Sequence, residues 1–253
     1  MSAAKLSAVI SVHNEENQLA LCLERLRFAD EIVVLLDDCG DESKAIAASF
    51  TDRLVEGAWA KEGQRRNAGI AACRGEWIFE VDADERVPQA LADEIRQVVE
   101  TSSFGWHEIP VDNYIGARLV RWGWGASYGK AAYPGLFRKG VKQWGDQRVH
   151  PGLKWSGRKG PMLANRLQHH VDKNISDMIK RLDSYSTARA KDLREAGETW
   201  GSTATNFRRL FTRFFKCYVL RGGYREGVWG FLIALFAGLY PLLSHLKAKL
   251  EDG

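Results

Sequence analysis

The sequence predicts an α/β fold with a mostly parallel central sheet, followed by an α-helical extension at the C-terminal end. Short apolar runs alternate with segments of helical periodicity over residues 6–99, which is the pattern of β-α-β units. Polar clusters follow the apolar runs at residues 13–16, 37–41 and 82–85. The carboxyl ends of parallel strands meet at one edge of a sheet, where ligands bind, so these clusters are expected to share one cleft.

The elements follow from the spacing of apolar residues. Four short apolar runs are predicted as strands: residues 6–12, 31–36, 53–55 and 76–81. Helices are predicted where apolar residues recur every three or four positions, as in Leu19, Cys22, Leu23 and Leu26, in residues 62–72, and in Leu91, Ile95, Val98 and Val99. Residues 106–170 mix glycine, tryptophan and proline with short apolar stretches, which predicts irregular strands and loops.

From residue 177 onward the pattern is helical again, so we predict an α/β domain over residues 1–172 and a helical extension over residues 173–253. Residues 206–225 combine six Lys or Arg side chains with aromatic residues and contain no acid. Residues 227–246 are apolar and long enough to cross a membrane. This tail could span a bilayer, lie in the interface or pack against the protein, and the basic-aromatic segment favours the interface.

Composition excludes several classes of protein. The formal net charge is +4, and no nucleic-acid-binding motif accompanies the basic residues, so no nucleic-acid partner is expected. The four cysteines form no Cys-x-x-Cys pair, which is typical of a reduced cytosolic protein rather than a zinc site or a disulfide framework. A phosphate-binding loop of the G-x-x-x-x-G-K-[ST] type is absent from the sequence.

Acidic side chains at the predicted strand ends are the candidate site. Asp82 and Asp84 are two residues apart on a turn after a strand, where two carboxylates can share Mg²⁺ or Mn²⁺ that neutralises a diphosphate. The alternative is a solvated turn. Asp37 follows the second strand and could accept hydrogen bonds from a base or ribose, whereas Asp41 could serve only as a helix cap. Arg66 precedes or opens a helix and could meet phosphate oxygens, or could belong to a solvated basic face.

Several motifs occur together in a familiar order. They are VISVHNEE, then EIVVLLDDCGDES, then Arg66-Asn67-Ala68-Gly69, then GEWIFEVDADERV. This series resembles glycosyltransferase family 2, whose members have the inverting GT-A fold, a Rossmann-like arrangement. The resemblance continues more loosely through residues 134–140 and 146–153. The segment after residue 178 and the apolar tail resemble the branch that adds sugars to the lipopolysaccharide core or related envelope glycans.

The resemblance implies roles for individual residues. Ser11, His13 and Glu15 would lie beside the nucleotide base, Asp37 would contact the nucleoside, and Arg66 would approach the phosphates. Asp82 and Asp84 would form the nucleotide-sugar and metal motif. Asp146 is the candidate general base, with a surface turn as the alternative. Relatives commonly carry an acid after the Val-His pair, whereas Pro151 stands there in this sequence. His150 and His169 are candidate metal or phosphate contacts, with a structural role as the alternative for each.

The implied reaction is transfer of a hexose-type sugar from a nucleotide diphosphate donor, UDP-glucose by analogy with the branch, to a lipopolysaccharide-core or other membrane-linked acceptor. The implied location is the cytoplasmic face of the inner membrane, as a peripheral or monotopic protein. Three alternatives remain open at this stage: a polyprenyl-phosphate glycosyltransferase, a non-catalytic nucleotide-binding membrane scaffold, and a nucleotidyltransferase. The last normally has a glycine-rich loop after the first strand, where this sequence has His13-Asn14-Glu15-Glu16.

Overall fold

The computed structural model describes residues 5–125, 128–146, 152–195 and 201–251. These residues form two compact units. The first contains residues 5–111, 132–146 and 152–169, and the second contains the remainder. The domain boundary predicted at residue 172 stays a prediction. The second compact unit contains residues 112–125 and 128–131 as well as the C-terminal helices.

The first part of the chain alternates strands and helices. In order these are β1 (Leu6–Val12), α1 (Leu19–Glu24), β2 (Glu31–Asp37), α2 (Ser43–Ala48), β3 (Leu54–Gly57), α3 (Glu62–Ala72), β4 (Trp77–Asp82), β5 (Glu85–Arg86) and α4 (Gln89–Thr101). Strand β1 pairs in parallel with β2 on one side and with β4 on the other, and β3 pairs in parallel with β2. The predicted α/β fold with a mostly parallel central sheet is therefore confirmed.

The next segment is more regular than predicted. It contains β6 (Trp106–Ile115), β7 (Arg118–Val120), β8 (Ala132–Arg138), β9 (Lys142–Trp144), β10 (Leu153–Trp155) and β11 (Leu167–Asp172). Strand β8 lies antiparallel between β4 and β6, and β9 pairs with β10. Strand β6, which is ten residues long, was not predicted as a regular strand because it buries polar side chains. Its His107 lies 2.8 Å from both the Ser102 hydroxyl and the Pro161 carbonyl.

Both faces of the parallel sheet are covered, which explains why its strands are continuous apolar runs. Alternate residues of β1 enter two different cores. Ala8 and Ile10 pack with α1 and α4, whereas Val9 packs with Ile70 of α3. Helix α3 lies very close to the sheet, because a Cβ atom at Gly69 would come within 2.4 Å of the Leu35 side chain. Only glycine permits this approach.

The second unit is built on three helices, α5 (Ile175–Glu195), α6 (Thr203–Phe215) and α7 (Val228–Leu250). The Ser202 hydroxyl caps α6 by accepting a hydrogen bond of 3.1 Å from the Thr205 amide. A π-helical turn at Lys216–Leu220 and a 3₁₀ turn at Gly223–Glu226 connect α6 to α7. Helix α7 packs on α5 and α6 through a core that includes Ile233, Phe236 and Tyr240.

Helices α6 and α7 approach almost to backbone contact at one point. A Cβ atom at Gly238 of α7 would lie 2.6 Å from the Leu210 carbonyl oxygen of α6. Helix α7 is long and apolar enough to cross a membrane, with a mean hydropathy of 1.6, and 56% of that stretch is buried within the protein. The predicted apolar helix is therefore confirmed. Its contact with a membrane stays a prediction, because the core helix of a soluble protein passes the same test.

Candidate active site

The loops that follow β1 and β2 are joined by hydrogen bonds. Asn14 has a positive φ of 55°, and its side-chain oxygen accepts a hydrogen bond of 2.8 Å from the Gly40 amide. The Asp41 carboxylate accepts hydrogen bonds from the amides of Glu16 and Ser43, both at 3.0 Å. Asp41 therefore fixes two loops together and also satisfies an amide at the start of α2, as the capping alternative predicted.

The predicted nucleotide-base residues lie along the same edge. Ser11 is at the end of β1, in register with Leu35 on one side and Asp82 on the other. The exposed His13 ring places Nδ1 2.6 Å from the Asp37 carbonyl oxygen. The Glu15 amide donates a hydrogen bond of 2.9 Å to the Ser43 hydroxyl. The structure therefore brings these predicted residues to the carboxyl edge of the parallel strands.

Each carboxylate oxygen of Asp37 accepts one hydrogen bond within the protein. The Trp59 amide donates to Oδ1 at 2.9 Å, and the Arg65 guanidinium donates to Oδ2 at 2.8 Å. Asp37 thus joins β2 to the segment that leads into α3. Nothing in the spacing of the sequence revealed the ion pair between Asp37 and Arg65.

Arg66 lies between three carboxylates. Its guanidinium contacts Glu62 at 2.8 Å, Glu80 at 2.9 Å and Asp82 at 3.1 Å, and it lies 5.1 Å from the centre of the Trp144 ring. Burial alone would lower the pKa of Arg66, but the charges of Asp82, Glu80 and Glu62 raise it well above its ordinary value. Arg66 is therefore a permanent cation that orients Asp82. Its predicted contact with phosphate stays a prediction.

Behind Asp82 is a buried charge network that sequence reasoning missed. Glu80 of β4 accepts from the Lys142 ammonium at 2.5 Å and from the Trp144 indole at 3.2 Å. Burial would raise the pKa of Glu80, but the cations of Lys142 and Arg66 outweigh burial and hold it below its ordinary value. Burial in turn holds the pKa of Lys142 below its ordinary value. Lys142 falls in the segment predicted as irregular, so no pattern identified it as a core residue.

The two carboxylates predicted to bind metal remain accessible. The side chains of Asp82 and Asp84 are 30% and 27% exposed. His169 of β11 places Nε2 3.1 Å from Asp84 Oδ2, and the pairing of β11 with β5 positions this ring. The candidate contact His169 is thus joined to the acidic turn, whereas His150 lies outside the described residues.

Negative charge accumulates around this turn. Partial burial, together with the charges of Asp84, Asp82 and Asp41, raises the pKa of Glu15. Oxygen ligands in a negative field suit a hard divalent cation. Within the described parts of the chain, no three His, Cys, Asp or Glu side chains are grouped closely enough to hold an ion by themselves. A divalent cation held by Asp82 and Asp84 would therefore need substrate oxygens and water to complete its coordination, as is common for Mg²⁺.

The candidate base Asp146 is fixed to the start of α3. Its carboxylate accepts from the Lys61 ammonium at 2.6 Å and from the Gln64 amide at 2.8 Å, and the side chain is 60% exposed. Asn67 of α3 forms two further hydrogen bonds with the backbone of Trp144, at 2.9 and 3.0 Å. These bonds hold the chain just before Asp146 against α3. Pro151, which departs from the pattern of relatives, lies outside the described residues.

Comparison with known proteins identifies the family. The model of glycosyl transferase family 2 matches residues 7–159, which include the turns after β1, β2 and β4 where the predicted acidic residues lie. This chain belongs to glycosyl transferase family 2. The predicted family is therefore confirmed, and the protein is a glycosyltransferase.

Two relatives match this family 2 chain over nearly its whole length. The lipopolysaccharide core biosynthesis glycosyltransferase LpsC of Rhizobium meliloti (strain 1021) is 26% identical over 258 residues, covering 96% of this chain and 91% of LpsC. The uncharacterized glycosyltransferase RC0292 of Rickettsia conorii (strain ATCC VR-613 / Malish 7) is 23% identical over 264 residues, covering 97% of this chain and 90% of the relative.

A solved structure supports the fold. S. aureus TarS 1-349 in complex with UDP-GlcNAc superposes with a TM-score of 0.53 at 12% identity, covering 94% of this chain and 81% of the TarS chain. At this identity the likeness concerns the fold alone. The GT-A fold predicted from the strand-end motifs is thereby confirmed for this family 2 protein.

Proposed function

We propose that this glycosyltransferase transfers a sugar, with inversion, from a UDP-sugar of the UDP-glucose type to a lipopolysaccharide-core or other membrane-linked glycan. The observation that carries this proposal is the convergence of Glu15, Asp82 and Asp84 at the edge that family 2 proteins are expected to use for the donor. The name of LpsC and the UDP-GlcNAc complex of TarS support the classes of acceptor and donor, respectively.

In the proposed donor site, Ser11, His13 and Glu15 lie beside the base and Asp37 contacts the nucleoside. Asp82 and Asp84 would hold a divalent cation, Mg²⁺ or Mn²⁺, with His169 beside Asp84. The cation would neutralise the diphosphate and stabilise it as a leaving group. The Arg66 guanidinium keeps the Asp82 carboxylate in place through its 3.1 Å contact, and this positioning does not depend on the bound donor.

In the proposed transfer step, the Asp146 carboxylate accepts the proton of an acceptor hydroxyl. The hydroxyl oxygen forms a bond to the anomeric carbon from the face opposite the nucleoside diphosphate, and the bond from that carbon to the diphosphate oxygen breaks. The Lys61 ammonium at 2.6 Å and the Gln64 amide at 2.8 Å position the Asp146 carboxylate for this step. A membrane-linked acceptor places the reaction at the cytoplasmic face of the inner membrane.

Calorimetric titration of the full chain with UDP, GDP and their sugar conjugates tests the donor site. We expect a UDP-sugar to bind in the presence of Mn²⁺ and its affinity to fall at least about tenfold with a chelator. Without the cation, the negative charges of the diphosphate and of the Asp82 and Asp84 carboxylates repel each other. Failure of every nucleotide to bind, with or without metal, would refute the proposed donor site.

The substitution Asp146→Asn tests the proposed base. Because asparagine keeps the shape of the side chain but does not accept a proton, we expect kcat to fall about 10²- to 10⁴-fold while donor affinity is unchanged. Steady-state rates with a membrane-glycan acceptor fraction, together with donor titration, separate the two quantities. The matched control is Asp52→Asn, an exposed aspartate between α2 and β3. Full activity of Asp146→Asn would exclude Asp146 as the base.

A further inference from the structure

The solvent-facing side of helix α6 carries aromatic side chains where a soluble helix normally carries polar ones. Phe207, Phe211 and Phe215 are 52%, 62% and 53% exposed. Their spacing of four residues places them in one row along the helix. The row continues past the end of α6 into the π-helical turn, where Val219 and Leu220 are also exposed.

Exposed cations flank this aromatic row, about 100° around the helix from the phenyl ring that precedes each of them. Arg208 and Lys216 are exposed one position along from Phe207 and Phe215. Neither forms an ion pair with any residue in the described part of the chain. Residues 201–225 contain no Asp or Glu. We call Phe207, Arg208, Phe211, Phe215 and Lys216 the outer face of α6.

Four further arginines, Arg209, Arg213, Arg221 and Arg225, lie in this region of the second unit. Burial, with the neighbouring cations Arg209 and Arg221, holds the pKa of Arg213 below its ordinary value. The Arg225 guanidinium, in the turn before α7, lies 4.6 Å from the centre of the exposed Trp122 ring. A second copy of this chain would present the same cations to the outer face, so self-association there is disfavoured by charge.

The opposite side of α6 is already used. Phe214 packs against Phe231 of α7 with ring centres 5.5 Å apart, and Asn206 is fully buried. The backbone of α6 also approaches α7 closely where Leu210 faces Gly238, so α6 packs on α7 through this opposite side. The outer face is therefore a fixed surface of the second unit.

We propose that the outer face of α6 docks on an anionic lipid bilayer, with the three phenyl rings in the interface and the cations against lipid phosphates. Exposed aromatic rings flanked by cations are the combination that binds at the boundary between headgroups and acyl chains. The inference extends the membrane-linked acceptor proposed above, and it concerns binding to lipid independently of sugar transfer. It places α6 in contact with the membrane and leaves α7 as the helix that supports α6.

Sedimentation with vesicles tests this docking. We expect the full chain to bind vesicles of phosphatidylcholine with phosphatidylglycerol, and to bind phosphatidylcholine alone at least about tenfold more weakly. Raising the salt concentration should weaken binding to the anionic vesicles. The double substitution Phe211→Ser/Phe215→Ser should lower the partition coefficient about tenfold or more. Arg208→Ser/Lys216→Ser should remove most of the preference for anionic lipid.

The matched controls are Leu21→Ser on α1 and Ile179→Ser on α5, which remove apolar side chains that are 63% and 53% exposed. Both should bind vesicles like the unsubstituted protein. Donor titration should be unchanged in every variant, so that loss of lipid binding and loss of the donor site are distinguished. Equal binding to neutral and anionic vesicles, no binding at all, or full binding by Phe211→Ser/Phe215→Ser would overturn the proposal. A dimer that dissociates when Phe211 and Phe215 are substituted would also overturn the proposal, because the outer face would then bind a second copy of the chain.

Discussion

Asp84→Asn is expected to lower kcat/KM for sugar transfer by about 10³-fold. The substitution keeps the shape of the side chain but removes one of the two partly exposed carboxylates proposed to hold the divalent cation, and it removes the charge next to His169. Initial rates over a range of Mn²⁺ concentrations measure the effect. Added Mn²⁺ should restore part of the activity, because the remaining ligands bind the ion more weakly.

Asp93→Asn is the matched control for this change. Asp93 is an exposed aspartate of α4 that accepts a hydrogen bond of 2.8 Å from Gln89, and the same loss of charge there should leave the rate unchanged. Unaltered activity and unaltered dependence on Mn²⁺ in Asp84→Asn would show that the turn after β4 does not bind the cation.

Glu80→Gln is expected to lower the free energy of unfolding by about 3–5 kcal/mol. The substitution leaves the buried Lys142 ammonium without the carboxylate 2.5 Å away, and an unpaired charge in the core is costly. Urea unfolding at neutral pH measures the change. The double substitution Glu80→Gln/Lys142→Met removes both charges and should recover a large part of the loss, which distinguishes charge imbalance from simple loss of packing.

Glu56→Gln provides the control for Glu80. Glu56 pairs with Lys44 at 2.9 Å, but both side chains are more than half exposed, so the same change should cost less than about 1 kcal/mol. The pH dependence provides a further check. Because the pKa of Glu80 is lowered in the folded state, its contribution is present above the ordinary Glu value of 4.5 and is lost as the pH falls below it. The difference in stability between the unsubstituted protein and Glu80→Gln should therefore shrink in acid, and a constant difference would contradict this account.

The parallel half of the fold was predictable because its signals are local. The buried strands β1, β2 and β4 are continuous apolar runs, and the acidic turns follow them directly. Since parallel strands end at the same edge, the order of motifs along the chain was enough to predict that these turns share a site. The exact partners within the site were not predictable, because Arg65 and Arg66 are adjacent in sequence yet pair with different carboxylates, Asp37 and Asp82.

The antiparallel part was harder because its core contains polar residues. Lys142 is buried only because Glu80, far away in sequence, compensates its charge. No pattern of hydrophobicity distinguishes such a lysine from one on the surface. Similarly, His107 is accommodated in β6 by hydrogen bonds to Ser102 and Pro161. Pairing of a buried polar residue with a distant partner is visible in the three-dimensional structure, but it does not change the spacing of apolar residues along the sequence.

The glycine at position 238 has a consequence for how variants of this protein should be interpreted. Its missing side chain allows the backbones of α6 and α7 to come close together at Leu210. A methyl group at Gly238 would clash with the Leu210 carbonyl, so α6 and α7 could not keep this spacing. A screen for variants that bind vesicles poorly is therefore expected to recover changes at Gly238, which lies between α6 and α7 and not on the outer face.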